Sequence, residues 1–402
     1  MRVSTGMLYD VGVGSIQRQT SSLLHTQQQV ASGRRILTPA DDPVSAARAL
    51  EVTQSKEMNA QYAANQGNAK TSLGLVESQL GNVGDLLSYV RERAVQAGNT
   101  VLSDDDRRSI AVDLRAQFNQ LLGLANSGDG TGQYLFSGYQ GATKPFSGSV
   151  EAGVSYAGDD GQRLLQVSPS RQLAVSDSGS DVFVRIRNGN GTFVTGASAG
   201  NTGSGLIDAG NVLNPTAVTG HNYTITFSVA AGVTTYSVVD QATTLSAASG
   251  TYSSGSAISF DGVSIGITGN PANNDSFTVA PSTSQSMFKT LSDLITSLET
   301  PVTSTGGTTL LSNRVGQALT NIDQALEKVL SVRASVGSRQ MEIDALSGAS
   351  EDLSIQYAET LSRLQDVDYA EAITRLTREQ SYLEAAQKSF LKVSGLSLFN
   401  YV

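Results

Sequence analysis

The distribution of proline is the feature that most restricts the fold of this chain. The stretches 44–144 and 302–402 contain no proline, and all eight prolines lie outside them. Because proline lacks a backbone donor and its ring clashes with the preceding helical turn, long uninterrupted helices need proline-free stretches. The middle of the chain, 126–285, differs in character, with 24 of the 40 glycines but only 15 of the 63 charged residues. The sequence therefore predicts two helical arms with a separate module inserted between them.

Apolar residues in both arms recur with the spacing of coiled coils. In a helix that pairs with another helix, steps of three and four residues alternate along one seam, so a seam position returns every seven residues. The first arm has such a seam at Leu73, Val76, Leu80, Val83, Leu87, Val90 and Ala94. Further rows lie near the start at Tyr9, Ile16, Leu23, Val30 and Leu37, in the second arm at Ile322, Val329, Val336, Ile343, Tyr357 and Leu364, and near the end at Ile373, Leu376, Leu383 and Phe390. We expect paired helices in both arms.

A helix start is marked at Ser103. Asp106 completes a capping box with it, and the acidic run 104–106 suits the positive end of a helix dipole. The buried face of this helix is predicted at Ile110, Leu114, Phe118, Leu121 and Ala125. The same carboxylates are a conceivable cation site, but the helix start accounts for them, and we predict no metal site.

Alternating apolar and polar residues around glycine turns are typical of β-hairpins, and the middle of the chain has three such segments. The first is DVFVRIRNGNGTFVTG, where the alternation begins at Val182 and the turn is Asn-Gly. NYTITFSVAAGVTTYSVVD and AISFDGVSIGITG have Gly232 and Asp261-Gly262 as their turns. We expect a small sandwich or barrel. The predicted fold class is α+β and mainly α: an elongated helical bundle or coiled coil formed by both chain ends, with an inserted β-rich domain.

Catalysis has little support in the sequence. Residues 262–266 match the Gly-x-Ser-x-Gly pattern of a nucleophile elbow around Ser264, but apolar alternation through this segment predicts a strand instead of a strand-to-helix turn. His221, in the same module, has no acidic partner evident from the sequence. The chain has no cysteine and only two histidines, which excludes disulfides, thiol catalysis and cysteine–zinc sites. We therefore predict that the chain is not an enzyme and has no catalytic residue and no cofactor.

The charge and hydropathy of the chain exclude two classes of partner. A net charge of −9 argues against a nucleic-acid partner. The sequence contains no run of eighteen apolar residues, so it predicts no membrane-spanning helix. The first residues also lack the apolar core of a secretory signal. We expect neither nucleic acid nor a membrane as a partner.

The segment SGRRILTPADDPVSAARAL predicts a corner between two helices. Pro39 excludes Thr38 from the helical conformation, while Asp42 is suited to cap the next helix and Pro43 to begin it. As local geometry this is a helix–loop–helix corner. The helix before it has an apolar seam but no core of its own, so it requires a partner helix.

The same segment resembles the N-terminal signature of the bacterial flagellin superfamily, a Ser-Gly-x-Arg-Ile stretch followed by Ala-Asp-Asp-Pro. The matching residues are Ser32, Gly33, Arg35, Ile36, Asp41, Asp42 and Pro43. At the other end, DVDYAEAITRLTREQSYLEAAQKSFLKVSGLSLFNYV resembles the C-terminal segment of that superfamily. The opening MRVSTGMLYD, the stretch GQYLFSGYQ at 132–140 and the ending SLFNYV are similar to members that join the flagellar hook to the filament.

The resemblance implies a structural role at the junction between hook and filament, with flagellin itself or a surface-displayed adhesin or binding module as alternatives. The implied domains are a terminal coiled-coil inner domain (1–42 with 365–402), a helical bundle domain (43–140 with 286–364) and a variable β-rich outer domain (141–285). The implied location is outside the cell, after export through the flagellar type III apparatus.

The resemblance also implies an assembly interface and its partners. The partners expected are other copies of the chain, the first hook–filament junction protein, flagellin and an export chaperone. The interface is expected in the apolar rows near both ends: Tyr9, Ile16, Leu23, Val30, Leu37, Ile373, Leu376, Leu383, Phe390, Leu396, Leu398 and Phe399.

Overall fold

The computed structural model describes residues 5–302 and 306–395. Within them the chain forms six α-helices: α1 (Thr5–Ser32), α2 (Pro43–Ala97), α3 (Asp104–Ala125), α4 (Met287–Glu299), α5 (Gly307–Gln365) and α6 (Tyr369–Gly395). The helices α2 and α5 are 55 and 59 residues long, as the proline-free stretches permit. The predicted class, mainly α with a β-rich insertion, is confirmed.

The chain divides into two compact units. Residues 1–64 with 345–402 form one, called the terminal unit below, and residues 65–344 form the other, called the central unit. The three-domain boundaries expected from the sequence stay a prediction.

The seam predicted in the first arm forms the core of the central unit. Its seven residues, from Leu73 to Ala94, all have no exposed surface. The facing row on α5 is equally buried, with Ile322 and Val336 at 0 % exposure and Val329 and Ile343 at 1 % or less. Burying one such aliphatic side chain contributes about 1.5–3 kcal/mol, so this double row is a major source of stability.

The capping box at the start of α3 is confirmed. The Ser103 hydroxyl accepts a hydrogen bond from the Asp106 backbone N–H at 3.2 Å, and the Asp106 carboxylate accepts one from the Ser103 N–H at 3.0 Å. The five residues expected on the buried face of α3 are all buried. The helix packs against α4, and the rings of Phe118 and Phe288 lie 5.8 Å apart. Of the acidic run, Asp106 caps the helix, while Asp104 and Asp105 form ion pairs with Arg107 and Arg108.

Fifteen strands lie between α3 and α4. They are β1 (Phe146–Ser149), β2 (Gly153–Tyr156), β3 (Leu164–Ser168), β4 (Arg171–Ala174), β5 (Ile186–Arg187), β6 (Phe193–Ala197), β7 (Leu206–Ile207), β8 (Asn211–Val212), β9 (Tyr223–Ala230), β10 (Val233–Asp240), β11 (Ser246–Thr251), β12 (Ala257–Phe260), β13 (Val263–Thr268), β14 (Ser276–Pro281) and β15 (Ser284–Gln285).

The two larger sheets of the insertion share one core. The first has the strand order β11-β10-β9-β14-β6; the second has β12-β13-β7, with β8 also paired to β13. Phe227, Ile265 and Phe277 are completely buried in the shared core. The hairpins predicted at Gly232 and at Asp261-Gly262 are confirmed as β9–β10 and β12–β13.

The hairpin predicted from DVFVRIRNGNGTFVTG is wrong. Residues Ser180–Val184 form a π-helical turn that buries the adjacent side chains of Val182 and Phe183. The turn after β5 exists, but β5 pairs with β15 and β6 pairs with β14. The ring of Phe183 lies within 5.4 Å of those of Phe136 and Phe146. Burial in this aromatic cluster overrides the local alternation.

Leu114 tests the helical core of the central unit. Leu114→Ala leaves a cavity at a position with no exposed surface, so we expect the free energy of unfolding to fall by about 2–5 kcal/mol. Val112→Ala in the same helix removes a side chain that is 67 % exposed and should change it by less than about 0.5 kcal/mol. Urea titrations followed by circular dichroism measure both. Equal losses in the two variants would contradict the assigned core face.

Candidate assembly interface

The loop between α1 and α2 is joined by backbone hydrogen bonds to the end of α5 and to the short loop between α5 and α6. The Arg35 N–H donates to the Gln365 carbonyl at 2.6 Å, and the Val367 N–H donates to the Gly33 carbonyl at 2.9 Å. Gly33 has a φ of +69°, and a Cβ atom there would lie 3.0 Å from the Tyr369 hydroxyl. Both the conformation and the space at this signature position therefore favour glycine.

Asp41 holds the loop between α1 and α2. One oxygen of its carboxylate accepts hydrogen bonds from the backbone N–H groups of Leu37 at 2.9 Å and Thr38 at 2.8 Å. The other lies 3.0 Å from His25 Nε2 on α1. A single carboxylate thus links the loop to α1.

Asp42 and Arg35 complete the corner. Asp42 Oδ1 accepts a hydrogen bond from the Ser45 N–H at 3.1 Å, which confirms the predicted cap, and α2 begins at Pro43. Arg35 Nη2 donates to the Leu364 carbonyl at 2.9 Å. Ser32 ends α1, and Ile36 is half-buried in the loop. Gly33, Arg35, Asp41 and Asp42 of the signature thus belong to one hydrogen-bonded corner.

Both corner carboxylates are held in their charged form. The hydrogen bond from the Thr38 backbone is the main cause that lowers the pKa of Asp41 below its ordinary 3.8. Hydrogen bonds from Ser45 lower the pKa of Asp42, with a smaller contribution from the charge of Arg35. Because the pKa of each carboxyl is lower in the folded state than in the unfolded state, each ionised carboxylate stabilises the folded state fully above pH 3.8. This stabilisation is lost as the pH falls through the pKa of the folded state.

The helices α1 and α6 pack against each other. The rings of Tyr9 and Phe390 lie 5.1 Å apart. A Cβ atom on Gly12 would lie 2.5 Å from Phe390 Cδ2, so the absence of a side chain at Gly12 admits this ring. The Ser22 hydroxyl donates to Glu379 Oε1 at 2.7 Å.

The predicted interface residues line this helix pair without filling a closed core. Most of those described are half-buried, whereas Tyr9 and Ile373 remain 57 % and 52 % exposed. Those that are half-buried are Ile16, Leu23, Val30, Leu376, Leu383 and Phe390 on the two helices, and Leu37, which lies in the loop after α1 because the helix ends before the predicted row does. Leu396, Leu398 and Phe399 lie outside the described residues. The role of the whole set in assembly stays a prediction.

The most buried positions between α1 and α6 are small or polar, which the sequence analysis missed. Thr26, Gln29 and Glu379 are at most 9 % exposed, and Ala372 is 3 % exposed. Gln29 donates to the Arg35 carbonyl at 2.6 Å. A heptad search that counts only apolar residues overlooks such positions, although Thr26 follows Leu23 by the three residues that a seam requires.

Large apolar side chains remain exposed on both helices. On α1 and α6 these are Met7, Tyr9, Val11, Leu24, Tyr369, Ile373, Tyr382, Leu391 and Val393. Clusters of exposed apolar side chains mark interaction surfaces on proteins. The described residues of the same chain therefore leave these apolar side chains of α1 and α6 exposed.

The structure does not support the nucleophile elbow around Ser264. Ser264 lies inside β13, paired to Ser259 and Asn211 across the sheet, and not at a strand-to-helix turn. His221 does have an acidic partner, which corrects the sequence analysis: its Nδ1 lies 2.8 Å from Asp240 Oδ2. Asp240 also accepts a hydrogen bond from the Ala242 N–H, which explains it as a turn-forming residue.

Within residues 5–302 and 306–395, no group of three or more histidines and carboxylates is placed to hold a metal ion. None of the helices in this part of the chain combines the length and apolar character that crossing a membrane requires.

Comparison with protein families defines the class of this fold. Residues 3–141 match the bacterial flagellin N-terminal helical region, and residues 319–401 match the bacterial flagellin C-terminal helical region. Residues 197–281 match the D2-like domain of flagellar hook-associated protein 1. The chain is thus a flagellin-like protein with both helical terminal regions around a β-rich insertion.

Relatives that match the whole chain identify the family. Flagellar hook-associated protein 3 of Salmonella typhimurium is 27 % identical over 403 residues, which cover 99 % of each chain. The crystal structure of the Legionella pneumophila protein of that name superposes with a TM-score of 0.74 at 34 % identity, covering 78 % of this chain and 98 % of that one. The FlgL structure of Xanthomonas campestris gives 0.71 at 33 % identity, covering 77 % and 99 %. The chain belongs to the flagellar hook-associated protein 3 family.

Asp41→Asn tests the corner. At neutral pH the variant should unfold at a lower temperature, because a neutral amide accepts the Leu37 and Thr38 hydrogen bonds less strongly than a carboxylate. The difference from the natural chain should shrink as the pH falls from 3.8 through the lower pKa that Asp41 has in the folded state, where its carboxyl becomes protonated. Asp10→Asn on α1 is the control, since Asp10 is exposed and forms no ion pair with the described residues. A difference that is constant from pH 7 to pH 3 would contradict the role of the Asp41 charge.

Gly12→Ala and Gly14→Ala test the contact between α1 and α6. Both changes favour the helix by roughly 0.5–1 kcal/mol. Only the methyl group added at Gly12 meets a neighbour too closely, since a Cβ atom on Gly14 would lie 3.6 Å from its nearest neighbour, Arg18 Nη1. Displacing Phe390 should cost about 1–3 kcal/mol, so G12A should exchange its α1 and α6 amide hydrogens faster than G14A. Hydrogen exchange measured by mass spectrometry distinguishes them, and equal protection would refute the contact.

Proposed function

We propose that this chain is a structural component of the bacterial flagellum that joins the hook to the flagellin filament. The observation that carries the proposal is the match to flagellar hook-associated protein 3 over 99 % of both chains. A structure from Legionella pneumophila described as the flagellar junction protein FlgL supports it, at 33 % identity and a TM-score of 0.72. The chain acts by assembly and has no catalytic role.

The physical basis of assembly is the incomplete burial of the terminal helices. Neighbouring copies would cover the apolar side chains that α1 and α6 leave exposed, at about 25 cal/mol per Å² of apolar surface removed from water. Contacts of one surface with a different surface of the next copy build open helical arrays, which suits a layer between two helical structures. Tyr9, Ile373 and the other members of the predicted interface are the residues that we assign to these contacts.

The partners follow from this position. They are further copies of the chain within the layer, the first hook–filament junction protein on the hook side and flagellin on the filament side. The chain reaches this location outside the cell by flagellar type III export, with an export chaperone before passage. The absence of cysteine is compatible with passage as an unfolded chain.

A filament-forming flagellin is the alternative within the same class. The flagellin of Escherichia coli O127:H6 matches only 40 % of this chain at 25 % identity. Purified chain mixed with short filament seeds decides between the two functions. We expect growth to stop after addition at the filament end, as seen by electron microscopy, whereas long filaments built from this chain alone would refute the junction role.

Deletion of the gene in the source bacterium tests the function in the cell. We expect hooks without filaments, with flagellin released into the medium, because the adaptor between them is missing. Expression of the natural chain from a plasmid should restore filaments and is the control. Normal filaments in the deletion strain would overturn the proposal.

A further inference from the structure

The turn between β5 and β6 contains two consecutive Asn-Gly pairs, Asn188-Gly189 and Asn190-Gly191. In a flexible chain such a pair is chemically labile, because the glycine nitrogen attacks the side-chain Cγ of the preceding asparagine and glycine has no side chain to hinder it. A new C–N bond forms, the C–N bond of the side-chain amide breaks, and ammonia leaves a cyclic imide behind. Water then opens the imide to either aspartate or isoaspartate.

The fold occupies the attacking nitrogen of the first pair. The Gly189 N–H donates a hydrogen bond to Asn321 Oδ1 of α5 at 2.8 Å. Gly189 is buried, and Asn321 is only 6 % exposed. Attack requires this nitrogen to lose its proton and to turn toward Asn188 Cγ, so the bond to Asn321 must break first. Burial also keeps the N–H away from the hydroxide and water that would remove its proton.

The side chain of Asn188 is held by a second distant segment. Its Oδ1 accepts a hydrogen bond from the Thr283 N–H at 2.8 Å, and its Nδ2 donates to the Thr283 hydroxyl at 3.3 Å. The Ser282 hydroxyl donates to the same Oδ1 at 3.2 Å. Cγ of Asn188 can therefore approach the attacking nitrogen only after contacts with α5 and with the segment before β15 have opened together.

The second pair is held by contacts within the turn. The Gly191 N–H donates to the Asn188 carbonyl at 3.2 Å, and Asn190 Oδ1 accepts a hydrogen bond from the Phe193 N–H at 2.9 Å. These bonds do not involve Asn321. The two pairs are thus protected by different residues, which makes each a reference for the other.

We propose that Asn188 and Asn190 are latent sites of deamidation and isoaspartate formation that the fold suppresses, and that Asn321 is the residue that protects Asn188. Isoaspartate at position 188 places its Cβ atom in the main chain, which displaces Gly189 from Asn321. A chain that stays unfolded for long therefore loses the ability to close this turn. The inference concerns the chemical durability of the chain and does not depend on its role in the flagellum.

Incubation of the natural chain at neutral pH, folded in buffer and unfolded in guanidinium chloride, tests the suppression. Peptide mass spectrometry measures the conversion of each asparagine, and electron-transfer fragmentation distinguishes aspartate from isoaspartate. We expect both Asn188 and Asn190 to convert at least about tenfold more slowly in the folded chain, because several hydrogen bonds must open together. The same rate in both conditions at either asparagine would overturn the proposal.

Two variants of Asn321 test the protecting residue in the folded chain. Asn321→Leu has a similar shape but no acceptor, so Asn188 should convert about three- to tenfold faster, the effect of one lost hydrogen bond. Asn321→Asp is the matched control, because it retains an acceptor for the Gly189 N–H and should accelerate the conversion less. Circular dichroism confirms that both variants are folded.

The conversion of Asn190 in the same samples separates protection from general loosening. Its rate in Asn321→Leu should change by less than about twofold, because its own hydrogen bonds do not involve the altered side chain. An unchanged rate at Asn188, or equal acceleration at Asn188 and Asn190, would refute the protecting role of Asn321.

Discussion

The pairing of the two chain ends is the interaction on which this architecture depends. Arg35 donates from its backbone to Gln365 and from its side chain to Leu364, a partner 329 residues away. Closing so long a loop in a flexible chain would cost roughly 5 kcal/mol in entropy. The central unit removes most of this cost, because its own ends already meet at an ion pair of 2.6 Å between Lys70 and Asp344.

The two units are stabilised by different kinds of contact. In the central unit, α2 and α5 bury continuous aliphatic rows with no exposed surface. Between α1 and α6 the buried positions are occupied by Thr26, Gln29 and Glu379 instead. Glu379 has one oxygen bonded to Ser22 and another that forms no hydrogen bond within the described residues. Polar groups at such positions specify register and partner at some expense in stability, which suits helices that acquire further partners by assembly.

The β-rich insertion is connected to the helices through aromatic and charged side chains. Phe146 and Phe183 contact Phe288 of α4. Arg339 of α5 forms a nearly buried ion pair of 2.6 Å with Asp177. These contacts lie within the central unit, so the insertion there is a packed part of that unit.

The sequence by itself determined the long helices of both arms, the seam from Leu73 to Ala94, the capping box at Ser103 and the corner at Asp42 and Pro43. These features follow from periodicity and from conformational preferences that act within a few residues. Only the tertiary structure decided that β5 pairs with β15, that His221 meets Asp240, and that polar residues fill the contact between α1 and α6. Each of these contacts joins segments that are distant along the chain, so no local sequence pattern predicts it. The local pattern is compatible with more than one pairing of these segments. Hydrogen bonding to distant segments and burial beside their side chains select one pairing.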